Sequence, residues 1–231
     1  MRSVGGKMAI EMPDYSLMNQ MLYEGKAAEV KEMTELALEE GMVVEDILQD
    51  GLIAGMSVVG EDFKYNRLYV PQVLIAARAM KAGMAILKPL LTESDAGGPA
   101  ATVVMGTVKG DLHDIGKNLV CMMGEGAGFN MVDLGVDTTA GRFIEAVKEH
   151  DASIVGMSAL LTTTMPYMKV VIDAFEEAGL DHVQICVGGA PVSEMFAEEI
   201  GADGYAADAA AAVELFQELF QELTQEATVG S

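Results

Sequence analysis

Basic residues are scarce in this chain. Lys and Arg number 14 against 36 Asp and Glu, a formal charge of −22. So acidic a surface repels phosphate backbones and anionic lipids, which disfavours nucleic acid and membrane partners before any motif is read. Cysteine is nearly absent. Cys121 and Cys186 sit in apolar surroundings without metal-ligand spacing, and they read as two reduced core thiols of a cytoplasmic protein. No stretch approaches the roughly 18–20 apolar residues of a membrane span. The longest candidates, 152–161 and 183–190, read as buried strands. Arg2 and Lys7 are followed by Glu11 and Asp14, so no signal peptide is expected. No Walker pattern or G-x-G-x-x-G follows a strand, which leaves nucleotide binding of the usual kind without support.

What is present is enough apolar material for a large core. The 231 residues are 51% apolar, a length and composition that predict two domains. Eighteen methionines outnumber all the aromatic residues together. Their spacing, as at Met80 and Met84, suits soft core packing; an adaptable partner surface is the alternative. The acidic stretch from 214 to 226 reads as a solvated helix face.

The first 92 residues read as a four-helix bundle. Helices are expected over 15–23, 26–40 and 44–63, with a fourth opened by Pro71 and striped by Val73, Ala76, Ala77, Met80, Met84 and Leu87. Gly51 and Gly55 interrupt the third and point to close backbone approach. Residues 93–100 form a small, glycine-rich linker with a Gly97–Gly98 pair. From 101 to 231, strands (102–108, 130–135, 153–158, 184–187, 204–206) alternate with helices. That alternation predicts an α/β domain, a doubly wound, flavodoxin-like (Rossmann-type) parallel sheet of five strands. Ligands of such sheets bind beyond the carboxyl ends of the strands.

Three loops fall at that end. The first reads G-D-L-H-D-I-G-K-N, residues 110–118. Asp111 stands two residues before His113, close enough to orient the ring, and a carboxylate on one imidazole nitrogen raises the basicity of the other. A solvated cap at a helix start and an acid–base pair are the competing readings of these residues. Asp111 and Asp114 also suit helix capping. The loop after the third strand carries Ser158, Thr162, Thr163 and Thr164, of which helix capping needs only one. The loop after the fourth reads V-G-G-A-P, and its paired glycines permit close approach of a flat ligand or a phosphate.

Asp111, His113 and Gly116, then Ser158 and Leu160, then Gly188 and Gly189 follow in order the D-x-H-x-x-G, S-x-L and G-G signature of one family. The chain resembles the cobalamin-binding module shared by methionine synthase, corrinoid methyl carriers and some mutases. The helical half extends the likeness: residues 55–63 and 69–80 resemble the cap of methionine synthase and the methyl carriers. The resemblance implies a corrinoid whose nucleotide tail lies beside the sheet, with His113 as the cobalt ligand. It implies a relay of Asp111, His113 and Thr164. The loop residues Gly110, Leu112, Asp114, Ile115 and Gly116 would face the corrinoid. Ser158, Leu160, Thr162, Thr163, Gly188, Gly189, Ala190 and Ala209 would line its tail. Phe63 and Val70, where that family has phenylalanine and leucine, would shield the upper face; plain core packing is the alternative for Phe63.

The implied function is that of a corrinoid protein accepting a methyl group on Co(I) from a substrate:corrinoid methyltransferase. A second methyltransferase, dependent on tetrahydrofolate or a thiol, takes the group from methyl-Co(III), and a reductive activase restores Co(I). A cobalamin-dependent sensor or a mutase subunit is the alternative.

Overall fold

A computed structural model describes residues 14–90 and 101–229. The expected linker, 93–100, lies outside them.

Helix α1 (Tyr15–Tyr23) starts at Asp14, whose carboxylate accepts the Ser16 amide at 2.9 Å. Helix α2 (Ala27–Glu39) follows a turn at Gly25, and the chain then runs through α3 (Val44–Asp46), a π-helical stretch (Ile47–Ile53) and α4 (Ala54–Lys64). The expected third helix is therefore continuous but not uniformly α-helical. The reason lies against α1. A side chain at Gly51 would meet the Met18 sulfur at 2.7 Å, and one at Gly55 would meet the Asn19 backbone at 3.1 Å. The Asn19 amide also donates to the Asp50 carbonyl within the widened turn, at 3.1 Å.

Helix α5 (Val70–Leu87) begins where the Gln72 side chain accepts the Tyr69 amide, with Pro71 in the first turn. By length and composition alone α5 is apolar enough to cross a membrane. Here its Val73, Ala76, Met80, Gly83 and Leu87 face packs in the bundle, mainly on α2, while Arg78 and Lys81 are exposed.

Five parallel strands form one sheet in the order β2-β1-β3-β4-β5: β1 (Thr102–Thr107), β2 (Asn130–Asp133), β3 (Ile154–Ser158), β4 (Gln184–Gly188) and β5 (Gly204–Ala206). This is the expected flavodoxin-like order. Helices α7 (Ala140–His150), α8 (Tyr167–Glu177) and α9 (Glu194–Ile200) pack around one face with Val104, Phe143, Val155 and Phe175 buried between. Helices α6 (Ile115–Gly126) and α10 (Ala209–Val229) cover the other.

The core on the α6 and α10 side does not stop at the sheet. It continues into the bundle, so Met18, Leu52, Val59 and Met80 belong to the same buried cluster as Val103, Ile154 and Phe216. Close approach at the seam depends on glycine. A side chain at Gly126 would collide with Met56, and one at Gly128 would meet Ile53 at 2.9 Å. Two ion pairs flank the seam, Lys64–Glu214 at 2.6 Å and Lys81–Glu125 at 3.5 Å.

Candidate corrinoid site

The loop between β1 and α6 is held from three directions. Thr107, wholly buried at the end of β1, donates its hydroxyl to the His113 carbonyl at 2.9 Å. Asp137 adopts a left-handed backbone (φ 53°); its carboxylate accepts the Gly110 amide at 2.7 Å and its own amide donates to the Asp111 carbonyl at 3.0 Å. Gly110 (φ 84°) makes the turn that this clamp requires. Lys117 is buried against Asp133 of β2 at 2.5 Å and against the Asn118 side chain at 2.6 Å, which ties the first turn of α6 to the sheet.

Asp111 is fully buried, yet it is well supplied with donors. One oxygen accepts the His113 ring Nδ1 at 2.7 Å and the His113 amide at 3.1 Å. The other accepts the Thr164 hydroxyl at 2.6 Å, the Leu160 amide at 2.8 Å and the Leu161 amide at 3.3 Å. Thr164 Oγ1 also lies 3.0 Å from the Leu161 carbonyl, but a hydroxyl carries one hydrogen, and the shorter contact to a charged oxygen takes it. Burial pushes the Asp111 carboxyl up; the Thr164 hydroxyl, the Leu160 amide and both His113 donors outweigh it and hold the group well below the usual carboxylate range.

An ionised Asp111 can only accept, so Nδ1 of His113 carries a proton in this contact, and Nε2 is the ring nitrogen that a neutral imidazole would offer to a metal. The His113 side chain is half exposed. It lines a cavity of about 580 Å³ that runs under the strand ends and down between the sheet, α6 and α10. Leu112, Asp114, Ile115, Gly116, Ser158, Leu160, Gly188, Gly189, Ala190, Ala209 and Phe63 line the same cavity.

Several expected residues lie elsewhere. Gly110 serves the loop rather than the cavity wall. Thr162 and Thr163 are exposed on the β3–α8 loop and do not line the cavity. Val70 is half-buried at the start of α5, packed on the bundle core. Asp114 is the N-cap residue of α6, but its side chain accepts the Asn118 side-chain amide at 3.0 Å and makes no capping bond. The glycine pair is required by the protein's own backbone: a side chain at Gly188 would meet the Ala206 carbonyl at 2.8 Å, and one at Gly189 (φ 124°) would overlap the Ala159 carbonyl. Met105, Gly156, Cys186 and Phe216 also line the cavity, and the spacing of the sequence alone gives no sign of them.

These features fit a macrocyclic cofactor. Among the described residues no group of three or more His, Cys, Asp or Glu could cage a metal ion, so one imidazole suits a metal that arrives with its equatorial ligands in place. Leu112 and Ile115, 71% and 79% exposed, offer a broad apolar surface beside His113. A side chain at Gly116 would meet nothing within 4 Å, leaving room for a bulky ligand to pass into the deep apolar groove. The class this defines is a cofactor-binding protein with one oriented imidazole at the mouth of a deep apolar cavity in a doubly wound sheet.

Comparison with known proteins specifies it further. Residues 101–214 match a B12 binding domain, and residues 18–88 match a second B12 binding domain model. A corrinoid protein of Desulfitobacterium hafniense (strain Y51) is 41% identical over 201 residues, 86% of this chain and 93% of that protein. The dimethylamine corrinoid protein of Methanosarcina barkeri is 47% identical over 169 residues, 73% of this chain and 79% of that one. Among solved structures, the methanol:cobalamin methyltransferase complex of Methanosarcina barkeri superimposes with a TM-score of 0.79 at 31% identity, covering 88% of this chain and 78% of that one. The chain belongs to the B12-binding corrinoid proteins, and its cofactor is a corrinoid.

Proposed function

We propose that this chain is the methyl carrier of a methyltransferase system and that His113 would ligate the cobalt of its corrinoid. The observation that carries the reading is the Asp111–His113 pair at 2.7 Å, with Nε2 left free at the mouth of a deep apolar cavity. The bound corrinoid supplies a cobalt centre able to take up a methyl group and yield it again. The chain's own residues do the rest. Asp111 keeps the proton on Nδ1, so that Nε2 presents its lone pair to the metal. Thr164 stabilises the Asp111 charge and thereby sets how firmly His113 holds that proton. Ser158, Leu160, Gly188, Gly189, Ala190 and Ala209 accommodate the nucleotide tail. Phe63, on α4, lines the same cavity as His113 and would shield the bound metal from water.

Similarity to a dimethylamine corrinoid protein and to a methanol:cobalamin methyltransferase complex supports a methyltransferase partner that loads the carrier from a small methylated substrate. A second methyltransferase, dependent on tetrahydrofolate or a thiol, would unload it, and an activase would deliver the electron that returns adventitiously oxidised cobalt to its reduced state. Residues 1–92 act in this reading as cap and 101–231 as cofactor domain.

The test is reconstitution with hydroxocobalamin, desalting, reduction to Co(II) and electron paramagnetic resonance. Isotopic labelling of histidine nitrogen should alter the axial hyperfine pattern, and His113→Ala should abolish the imidazole signature. A pattern indifferent to the label would sink the assignment of His113.

A further inference from the structure

Strand register sets two rows of residues on the face of the sheet that looks toward α6 and α10. Thr107, Ser158, Gly188 and Ala206 stand side by side at the strand ends. Two residues earlier in each strand, and so on the same face, stand Met105, Gly156, Cys186 and Gly204. The cavity extends from the first row to the second.

Its charged and hydroxyl-bearing side chains all belong to the mouth. His113, Asp114 and Lys117 lie at the start of α6, Ser158 at the end of β3, and Asp208 just before α10. The Lys117 ammonium is already engaged by Asp133 and Asn118. The deep end differs in kind. It is bounded by Met105, Gly156 and Cys186 on the sheet and by Ala212 and Phe216 of α10. Backbone amides and carbonyls there are spent on neighbouring strands. The side-chain atoms there able to hydrogen-bond are two sulfurs, the Cys186 thiol, a weak donor and acceptor, and the Met105 thioether, a weak acceptor. Gly156 sets the depth: a methyl group there would strike the Met105 sulfur and reach the Phe216 ring at 3.5 Å.

We infer that this floor selects among corrinoids by the distal edge of their lower base, favouring an edge of methyl groups or hydrogens over one bearing a hydroxyl or amino group. The inference rests on the reading above that the cavity takes the nucleotide tail. A polar substituent carried to the Met105–Gly156–Cys186 row leaves its water behind and finds no oxygen or nitrogen to replace it. Rejection of an added hydroxyl by an apolar site is of moderate size, about tenfold to a hundredfold.

The experiment is a titration of the wild-type apoprotein with three cobamides in the same cobalt oxidation state, carrying dimethylbenzimidazole, 5-hydroxybenzimidazole or adenine as lower base. Cobinamide, which has no nucleotide tail, serves as the reference. Retention is read by filtration and visible absorbance. The dimethylbenzimidazole form should bind about tenfold or more tightly than the other two. Cys186→Ser, with its fold checked by circular dichroism, should narrow the gap to the hydroxylated base by giving it an oxygen partner. Equal or tighter binding of the hydroxylated cobamide by the wild type overturns the inference, as does a preference that a folded Cys186→Ser leaves untouched. If none of the tailed cobamides binds better than cobinamide, the tail reading itself has failed rather than the selectivity built on it.

Discussion

The hydroxyl of Thr107, wholly buried at the end of β1, donates to the main-chain carbonyl of His113 at 2.9 Å. The strand thus grips the backbone of the histidine, while Asp111 grips its ring. Thr107→Val keeps the shape and the strand preference but removes that donor. A loss of about 1 kcal/mol is expected, read as a fall in Tm of about 2–4 °C. In the reconstituted protein, the histidine hyperfine signal should broaden as the loop loosens.

Asp111→Asn tests the buried carboxylate. Replacing it leaves donors aimed at a weaker acceptor and should cost about 1–3 kcal/mol at neutral pH. The pH dependence has a definite sign. The native carboxyl lies below its unfolded value near 3.9. Its stabilisation is therefore complete above that value and is lost as pH falls below it, because the unfolded chain then binds the extra proton. Urea midpoints of wild type and variant should differ most near pH 7 and converge below about pH 4. A gap that stays constant to acid pH contradicts the assignment.

The two thiols should be silent. Burial, then the nearby Asp133 carboxylate, pushes Cys121 up to about 12, and burial pushes Cys186 up as well. At pH 8 only about one Cys121 in ten thousand is a thiolate. A disulfide reagent should find no thiol in the native apoprotein and both after denaturation. Rapid labelling of the folded chain counts against this packing.

Phe63 lines the cavity together with His113, although it comes from the bundle. Phe63→Ala should leave corrinoid retention nearly intact and speed photolysis of the methylated form. Photolysis at the wild-type rate would return Phe63 to ordinary packing.

The site was readable wherever it is local. Asp111, His113 and Gly116 are within six residues, and their spacing alone suggests an oriented imidazole with space beside it. Thr164 came only through resemblance, because nothing local links it to a carboxylate 53 positions away. Thr107, Asp137 and Cys186 were out of reach for a further reason. Their roles depend on strand register and on a loop from β2 crossing to β1, and neither leaves a trace in nearest-neighbour spacing. Alternation of apolar strands and amphipathic helices announced the doubly wound sheet. The π-helical stretch was hidden, since Ile47, Leu48 and Leu52 occupy apolar positions that an α-helix would bury equally well. Thr162 and Thr163 point to the limit of reading loops, where a hydroxyl can face either the groove or the solvent.

Because bundle and sheet share one apolar cluster, separating them has a calorimetric signature. Lifting α4 and α5 from α6 and α10 uncovers Ile53, Met56 and Met123, which now close over Gly128, Gly126 and Gly60. Water ordered around newly bared hydrocarbon raises the heat capacity. A partner that opens the seam and leaves it wet should bind with a positive contribution to ΔCp. One that replaces the bundle with its own apolar surface should bind with a negative one.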